Sequence, residues 1–327
     1  MKPLNSRAFL QATLWGFAML WGLSAHAQTY PQKPIRLLVP FAPGGSTDLV
    51  ARIVADPLGK LLGQTVVVEN KPGGGGVVGA LEVAKAAPDG YTLGLTTASS
   101  AATNPAINPN VGYKPLTDFT PIINMVATPN VLAVHPSFPA KDMAGFLKVV
   151  RANPGKFDYA SSGTGGIGHL QMELFKTLSK TFVVHIPYAG AGPALRDVVG
   201  GQVPIVFDNL PSAMSHIQGK RLVALAVASS SRVPELPDVP TFKELGLEGV
   251  NRPALYGIWG PKQLPAPLVA QLNAAVKKVL QDPAVIKRLE ATGSRVVANS
   301  PTEFAAQLKA EYEVYKQVVD AQKLKLD

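Results

Sequence analysis

The sequence predicts an α/β protein that consists of two lobes. Three observations carry this prediction: short apolar strands alternate with amphipathic helices, the alternation occurs in two successive blocks, and glycine-rich turns follow several strands. Such alternation is typical of a mainly parallel sheet covered by helices. About 300 residues follow the amino-terminal segment. A single hydrophobic core usually supports fewer residues than this, so two lobes are expected.

The first 27 residues have the pattern of a cleaved export signal. Lys2 and Arg7 precede an apolar run from about Ala8 to Leu23, and residues 25–27 form a small-x-small cleavage site. The apolar run is interrupted by polar residues and glycines and is shorter than the roughly 20 residues of a membrane span. A cleaved signal is therefore favoured over a membrane anchor, and we expect a soluble periplasmic product.

Composition excludes several kinds of site. The chain has no cysteine, which excludes lipidation at a cysteine, disulfides, thiolate zinc sites and a cysteine nucleophile. Without Lys2 and Arg7, 29 basic residues stand against 22 acidic ones, and the basic residues are scattered along the chain. A solvated basic surface is therefore favoured over nucleic-acid binding, and its weak positive field favours anionic ligands.

The first block repeats one unit of strand, glycine turn and helix. A strand over 35–40 leads into a glycine turn, and a helix begins at Ser46, where hydroxyl and carboxylate side chains suit a helix start. Apolar residues then follow at helical spacing. The elements that come next are a strand over 65–69, a glycine turn over 73–76, a helix over 77–87 and a strand over 91–96.

The second block begins near residue 131 with the same alternation. Its predicted strands cover 131–135, 158–161, 183–187, 203–208 and 222–228, and its predicted helices cover 143–152, 168–178 and 193–200. A proline-rich surface loop over 233–240 precedes a strand over 256–260 and two long helices over 267–281 and 301–322.

The chain is therefore expected to cross between lobes near residue 130 and to return near 255. We assign 1–27 to the signal, 28–130 plus 255–327 to lobe 1, and 131–254 to lobe 2. Trp259 lies in the returning segment between Gly257 and Gly260. Either its ring reports lobe closure through a flexible crossing strand, or it is an ordinary core aromatic residue.

Three glycine-rich loops between a strand and a helix are the candidate ligand sites: 43–48, 73–76 and 161–166. Such a loop leaves backbone N–H groups unpaired at the positive end of the helix dipole, which favours an anion. Ligands of open α/β sheets bind at the carboxyl ends of strands, where all three loops fall. A single loop can be only a tight connection, but three loops across two predicted lobes indicate a cleft.

An enzyme is the alternative that the third loop raises, because residues 163–168 match the dinucleotide-binding pattern G-x-G-x-x-G. The next strand, however, ends at Pro187 without the acidic residue that binds ribose, and the first lobe lacks a phosphate-binding lysine loop. No histidine pair at metal-binding spacing and no G-x-S-x-G elbow occur. The sequence thus favours a binding protein and predicts no catalytic residue, cofactor or metal.

Three polar residues have roles that the sequence leaves open. His169, just inside the helix after the third loop, is able to contact a ligand or a loop carbonyl. Asp48 lies in the first turn of a helix, where a carboxylate stabilises the helix by about 0.3–1 kcal/mol through its interaction with the helix dipole. Asp208 lies at a strand end with no assigned partner.

Longer motifs point to a family. They are Pro40-Phe41-Ala42-Pro43-Gly44-Gly45-Ser46-Thr47-Asp48, Glu69-Asn70-Lys71-Pro72-Gly73-Gly74-Gly75-Gly76, Asp118-Phe119-Thr120-Pro121-Ile122, Ser161-Ser162-Gly163-Thr164-Gly165 with His169-Leu170, Pro187-Tyr188-Ala189-Gly190, Gly200-Gly201-Gln202-Val203 and Leu236-Pro237-Asp238-Val239-Pro240-Thr241. With these motifs the chain from Tyr30 to about Gln322 resembles the Bug family, the periplasmic solute-binding receptors of tripartite tricarboxylate transporters.

The resemblance implies a Venus-flytrap fold, type II-like, that closes on an amino acid, a di- or tricarboxylate or an aromatic acid. It also implies transient contact with membrane transporter subunits, no nucleic-acid partner and a monomer. A periplasmic sensor as partner stays an alternative. The ligand-binding residues that it implies are Phe41, Ala42, Pro43, Gly44, Gly45, Ser46, Asp48, Gly75, Thr97, Ser99, Ser161, Ser162, Gly163, Thr164, Gly165, His169, Ala189, Gly190 and Asp208. The sequence departs from the common pattern at Ala189 and Pro204, so the ligand stays open.

Overall fold

The computed structural model describes residues 30–325, so the predicted signal over 1–27 lies outside the described residues. The strands are β1 (Ile35–Val39), β2 (Val66–Asn70), β3 (Thr92–Thr97), β4 (Phe119–Thr128), β5 (Asn130–Val134), β6 (Asp158–Ser161), β7 (Val184–Pro187), β8 (Ile205–Asn209), β9 (Val223–Ala228), β10 (Ala254–Pro261) and β11 (Arg295–Val296).

The α-helices alternate with these strands, and most of them follow a strand in the chain. They are α1 (Ser46–Leu62), α2 (Val77–Ala84), α3 (Asn104–Ile107), α4 (Met143–Ala152), α5 (Ile167–Ser179), α6 (Ala191–Val199), α7 (Leu210–Gln218), α8 (Ala266–Leu280), α9 (Pro283–Glu290) and α10 (Pro301–Gln322). A π-helical turn over Ser99–Thr103 precedes α3, and short 3₁₀ turns cover Gly74–Gly76 and Glu248–Val250.

The strands form two separate sheets, which define the two lobes. The sheet of lobe 1 has the order β11-β4-β10-β3-β1-β2, and the sheet of lobe 2 has the order β7-β6-β8-β5-β9. The chain passes from β4 to β5 through Pro129 alone and returns along β10. The two-lobed α/β architecture is as predicted, while the lobe boundaries given above stay a prediction.

The sheets are mixed, which corrects the expectation of mainly parallel sheets. β10 runs antiparallel to β3 and β4, and β5 runs antiparallel to β8 and β9. The reason lies in the two crossings. β4 leaves lobe 1 at the same border where β10 enters it, with Thr128 paired to Ala254, so these neighbours must run in opposite directions.

Each lobe has its own apolar core around its sheet. In lobe 2 the two faces of the sheet carry separate clusters, one around Phe146, Phe175 and Phe207 and the other around Val131 and Val206. In lobe 1 a cluster gathers Trp259, Phe304 and Tyr315, and Ile167 and Leu170 of α5 also belong to it. Helix α5 of lobe 2 therefore packs its first turn into the core of lobe 1.

Sequence periodicity places most elements within a few residues of their observed ends. The bounds of α4, β6 and α10 agree with the prediction residue for residue. Five elements were not predicted from the sequence: β4, β11, α3, α7 and α9. Helices α7 and α9 each carry a proline in the first turn, a position that favours helix initiation but is easily interpreted as a turn.

Candidate functional site

A narrow cavity of about 10 Å³, room for about one water molecule, lies between the two lobes as they stand in this structure. It is at the carboxyl ends of β1, β3 and β8, and the loops after β6 and β7 border it, as expected for a ligand site of open α/β sheets. Its lining residues are Phe41, Gly45, Ser46, Thr47, Thr97, Ala98, Ser99, Ser162, Ile167, Ala191, Asp208, Asn209, Ala254 and Tyr256.

Four α-helices begin at this cavity. Ser46, Ile167 and Ala191 are the first residues of α1, α5 and α6, and Asn209 precedes α7. In none of the four does the residue before the helix cap it with a side chain, and that residue is a glycine in three of them. Residues from elsewhere in the chain accept from some of the first-turn N–H groups: Ser99 Oγ at the start of α5, and Ser46 Oγ and the Pro129 carbonyl at the start of α7. The cavity is thus surrounded by the positive ends of four helix dipoles, two of which keep first-turn N–H groups without such an acceptor among the described residues, those of α1 and α6.

Seven of the predicted site residues line the cavity: Phe41, Gly45, Ser46, Thr97, Ser99, Ser162 and Asp208. The other predicted residues do not line it. They lie in the contacts between the lobes or behind the loops, as described next. A ligand contact of any of these residues stays a prediction.

The first glycine loop is held in shape by Asp48. Its carboxylate accepts hydrogen bonds from the backbone N–H of Gly44 (3.1 Å), from Arg52 Nε (3.0 Å) and from Asn70 Nδ2 (3.0 Å). Asn70 also donates to the carbonyl of Phe41 (3.0 Å). Burial raises the pKa of Asp48, but the hydrogen bonds outweigh burial and the pKa is lowered overall. Asp48 therefore supports the loop from behind instead of facing the cavity.

The third glycine loop is held by a stacked pair of histidines. His169 Nδ1 accepts a hydrogen bond from the backbone N–H of Gly165 (3.0 Å), and its ring stacks on His185 at 4.0 Å. Ser161 Oγ lies 2.7 Å from His185 Nε2 and accepts a hydrogen bond from the N–H of Gly163 (3.2 Å). Of the two roles left open for His169, this geometry matches support of the loop.

The second glycine loop faces the opposite lobe and not the cavity. A Cβ atom at Gly75 would lie 2.5 Å from the carbonyl oxygen of Thr164, and one at Gly163 would lie 3.0 Å from Cα of Gly75. Both glycines have positive φ, +60° and +135°. Gly190 makes a similar approach, with 2.8 Å between a Cβ and the nitrogen of Ala42. These glycines therefore allow the backbones of the two lobes to meet.

Hydrogen bonds join the lobes beside these glycines. Ala42 N–H donates to the carbonyl of Ala189 (3.1 Å), and Thr103 Oγ1 donates to the carbonyl of Gly165 (2.8 Å). Ser99 Oγ accepts from the N–H of Ile167 (3.0 Å).

Ser46 makes a second such connection. Its Oγ accepts a hydrogen bond from the backbone N–H of Ser212 (2.9 Å) and lies 3.0 Å from the hydroxyl of the same residue. Two predicted ligand contacts, Ser46 and Ser99, thus use their hydroxyls to connect the lobes. We name these hydrogen bonds and the glycine contacts of Gly75, Gly163 and Gly190 the interlobe contact.

Asp208 and Tyr256 are the two titratable side chains in the cavity lining, and each is 1% exposed. Burial raises the pKa of Asp208 to about 7. Burial also raises the pKa of the Tyr256 hydroxyl, and the nearby carboxyl of Asp208 raises it further. The lining contains no lysine, arginine or histidine, so an anion in the cavity would meet dipoles instead of a cationic side chain.

Five lining residues were not predicted as ligand contacts from the sequence: Tyr256, Asn209, Ala254, Ile167 and Ala191. Ile167 and Ala191 start the helices after predicted loops, so extending each loop by one or two residues would have found them. Tyr256 lies inside a strand with no adjoining motif, and only the tertiary structure brings it to the cavity.

Trp259 is a core residue of lobe 1. Its ring stacks on Phe119 at 3.7 Å with 4° between the planes, and it is 1% exposed. A Cβ at Gly257 would lie 2.2 Å from Phe304 Cζ, so this glycine makes room for a neighbouring ring. The structure therefore favours the core role for Trp259 over a flexible crossing strand.

Residues 30–325 show neither a membrane-spanning helix nor a metal-binding cluster. No helix in this range is long and apolar enough to span a bilayer. No three acidic or histidine side chains of the same range gather as metal ligands would.

Comparisons with known proteins agree with this geometry. Residues 50–324 match the model of the tripartite tricarboxylate transporter family receptor. The protein BugT of Bordetella pertussis is 36% identical over 90% of this chain and 91% of its own length. A solved structure described as a periplasmic transporter is 49% identical with a TM-score of 0.90, covering 91% of this chain and all of its own.

A third relative was solved with a ligand. MatC from Rhodopseudomonas palustris, with bound malate, is 35% identical with a TM-score of 0.86, and the match covers 89% of this chain and all of MatC. These matches confirm the resemblance to the Bug proteins. The chain belongs to the tripartite tricarboxylate transporter receptor family.

Proposed function

We propose that this protein captures a small carboxylate in the periplasm and delivers it to the membrane subunits of a tripartite tricarboxylate-type transporter. The observation that carries the proposal is the set of four helix amino termini around the cavity, where the first-turn N–H groups of α1 and α6 have no side-chain acceptor among the described residues. Unpaired N–H groups and aligned dipoles at such ends favour a negatively charged group. The malate bound to MatC supports the same class of ligand.

The lack of a cationic side chain in the lining limits the ligand's charge. With no lysine or arginine to compensate, the dipoles of α1, α5, α6 and α7 must stabilise the anion together. Each helix terminus is equivalent to about half an elementary charge. This arrangement suits one carboxylate group better than a cluster of negative charges.

In this proposal the protein binds its ligand and does not catalyse a reaction. The titratable groups of the lining are one carboxyl and one phenol, on opposite lobes, without a nucleophile paired to a base. Export by the predicted signal would place the protein in the periplasm, with a carboxylate in the cleft and the transporter as a transient partner. The family model favours a transporter over a sensor as that partner.

A comparison of acids with neutral analogues tests the proposal. Small carboxylates, malate first, are screened for stabilisation against heat, since a ligand at 100 times its Kd adds about 2.7 kcal/mol. The best ligand is then compared with its methyl ester and its carboxamide by calorimetry. Loss of charge-assisted hydrogen bonds should weaken binding by about 100-fold.

The carboxamide serves as the control for size, because it keeps the planar shape and removes the charge. Equal affinity for acid and carboxamide would contradict the proposal. So would a screen in which no carboxylate stabilises the protein.

A further inference from the structure

Two buried side chains face the cavity with atoms that no described residue binds. Asp208 lies at the carboxyl end of β8 in lobe 2, and Tyr256 lies in β10 of lobe 1. Within residues 30–325, neither Oδ1 of Asp208 nor the hydroxyl oxygen of Tyr256 has a hydrogen-bond partner. Buried polar atoms are rarely left in this way. Both atoms are therefore available to a group inside the cavity.

Hydrogen bonds within the protein account for only one of the two carboxylate oxygens of Asp208. Its Oδ2 is 3.4 Å from the Ser212 hydroxyl that donates to it, and the backbone of Asn209 also supports the carboxyl. The Ser162 hydroxyl also supports the carboxyl, and Oδ1 has no hydrogen-bond partner among the described residues. The Tyr256 hydroxyl lies near the side chains of Ser46 and Thr47, but neither makes a hydrogen bond to it, and a phenylalanine at position 256 would fill the same space in the sheet. Since burial of unpaired polar atoms disfavours folding, the fold alone does not explain Oδ1 or the phenol.

Electrostatics shows which group suits this pair. Asp208 is the sole carboxyl group of the lining, which has no lysine, arginine or histidine to balance it. Burial raises the pKa of Asp208 to about 7, which reflects how poorly a negative charge is solvated at this point. A positive group on the ligand would relieve that cost, whereas a second carboxylate beside Asp208 would increase it.

We infer that Asp208 and Tyr256 bind the ammonium group of a small amino acid whose carboxylate is held by the helix amino termini. This inference rests on the function proposed above. An ammonium has three N–H donors and no acceptor, which matches a carboxylate oxygen and a phenol oxygen that both accept. Because the two residues belong to different lobes, one ligand group contacts both lobes when the cleft closes.

Matched trios of acids test the inference on the purified protein. Each trio differs only in the substituent at C2, which is ammonium, hydroxyl or hydrogen: alanine, lactate and propanoate; aspartate, malate and succinate; glutamate, 2-hydroxyglutarate and glutarate. We expect the amino member of at least one trio to bind about tenfold or more tightly than the member with hydrogen. Calorimetry gives the affinities.

Two substitutions assign that preference to residues. In Asp208→Asn, which keeps the shape and removes the charge, the advantage of the amino member should fall to about twofold or less, since no charge-assisted bond is left. Tyr256→Phe should reduce the advantage in part. The unliganded Asp208→Asn protein should be at least as heat-stable as the wild type, because a buried charge is removed. Asp158→Asn, at the amino end of β6 in the same lobe, is the control and should keep the preference.

The outcomes separate this inference from the proposed function. Equal affinities within every trio that binds, or an undiminished amino preference in Asp208→Asn, would overturn the inference and leave carboxylate capture standing. A purely structural role of Asp208 would show itself as equal losses for all three members together with lower heat stability, which also overturns it. If no acid of any trio binds, the proposed function fails, and the inference fails with it.

Discussion

The loop after β1 and the loop after β2 both contain consecutive glycines and both lead into a helix, yet they have different surroundings. The first contributes Gly45 and Ser46 to the cavity. The second contributes no lining residue, although all four of its glycines, 73–76, have positive φ. Its Gly75 instead meets Gly163 and Thr164 of the opposite lobe.

The comparison shows that both loops let the lobes approach each other, but only the first also lines the cavity. In the first loop the absence of a Cβ at Gly45 leaves room for Ala191 of the opposite lobe, and both residues line the cavity. In the second loop the absence of a Cβ at Gly75 lets two backbones meet. Sequence motifs alone assign both loops to the ligand, because local sequence carries no information about which surface lies opposite.

The largest effect that would distinguish the two loops is expected from Gly75→Ala. The new Cβ would lie 2.5 Å from the Thr164 carbonyl, so the lobes could not reach their observed contact. We expect affinity for the carboxylate ligand to fall by about tenfold or more, equivalent to at least about 1.4 kcal/mol. Calorimetry measures this, and a melting curve reports the cost to the fold.

Gly63→Ala is the matched control for backbone strain. Gly63 ends α1 with φ +71°, close to the +60° of Gly75, and a Cβ there would have no neighbour within 4 Å. Gly63→Ala should lose about 1–2 kcal/mol of stability from the left-handed backbone, and Gly75→Ala should lose more, because its Cβ would also lie 2.6 Å from Asn104 Nδ2 of the same lobe. Only Gly75→Ala should lose affinity. An unchanged affinity in Gly75→Ala would show that the second loop is not needed for closure.

A smaller effect is expected when the first loop loses its support through Asp48→Asn. Removing the charge weakens the bonds to Gly44 and Arg52, so the free energy of unfolding should fall by about 1–3 kcal/mol and binding should weaken severalfold. The folded pKa of Asp48 is lowered, so its contribution is present above the ordinary pKa of about 4. That contribution is lost as the pH falls through the folded value.

The stability difference between wild type and Asp48→Asn should therefore shrink in acid, which denaturant unfolding at several pH values measures. Asp56→Asn, an exposed position on the same helix, makes the same charge change without these hydrogen bonds. It should leave affinity and stability unchanged. A constant difference across the pH range would show that the Asp48 carboxylate does not hold the loop.

The smallest effect concerns Trp259, which lies in neither loop. In protein lacking residues 1–27 it is the sole tryptophan, and it is buried in the core of lobe 1 against Phe119. We expect its emission maximum to stay the same when ligand saturates the cavity, because lobe closure does not change its neighbours. A saturable shift would place movement inside lobe 1 and would restore the reporter role considered for the crossing strand.

Local patterns predicted much of the fold, since helical spacing and turn residues located α4, β6 and α10 and the two blocks located the two sheets. Strand direction was not predictable in the same way. The antiparallel pairs of β10 and β5 arise from the route of the chain between lobes, which no local pattern reports.

In the candidate site, too, residues that belong to a local motif were predicted, and residues that depend on tertiary structure were not. Phe41, Gly45 and Ser46 were found because they form a loop after a strand. Tyr256 was missed because a tyrosine in the middle of a strand gives no signal in one sequence. The bracing roles of Asp48 and His169 follow from hydrogen bonds that only the folded chain forms.

The interlobe contact has a consequence for how such a protein acquires new cargo. Most of its hydrogen bonds use backbone groups or serine and threonine hydroxyls of the protein itself, so closing the cleft draws on the same contacts whatever the ligand. The apparent affinity then combines a closing equilibrium that is common to all ligands with recognition by a few lining side chains. A substitution at one of those side chains is able to change selectivity while the closing equilibrium is kept, so selectivity and closure are free to evolve separately.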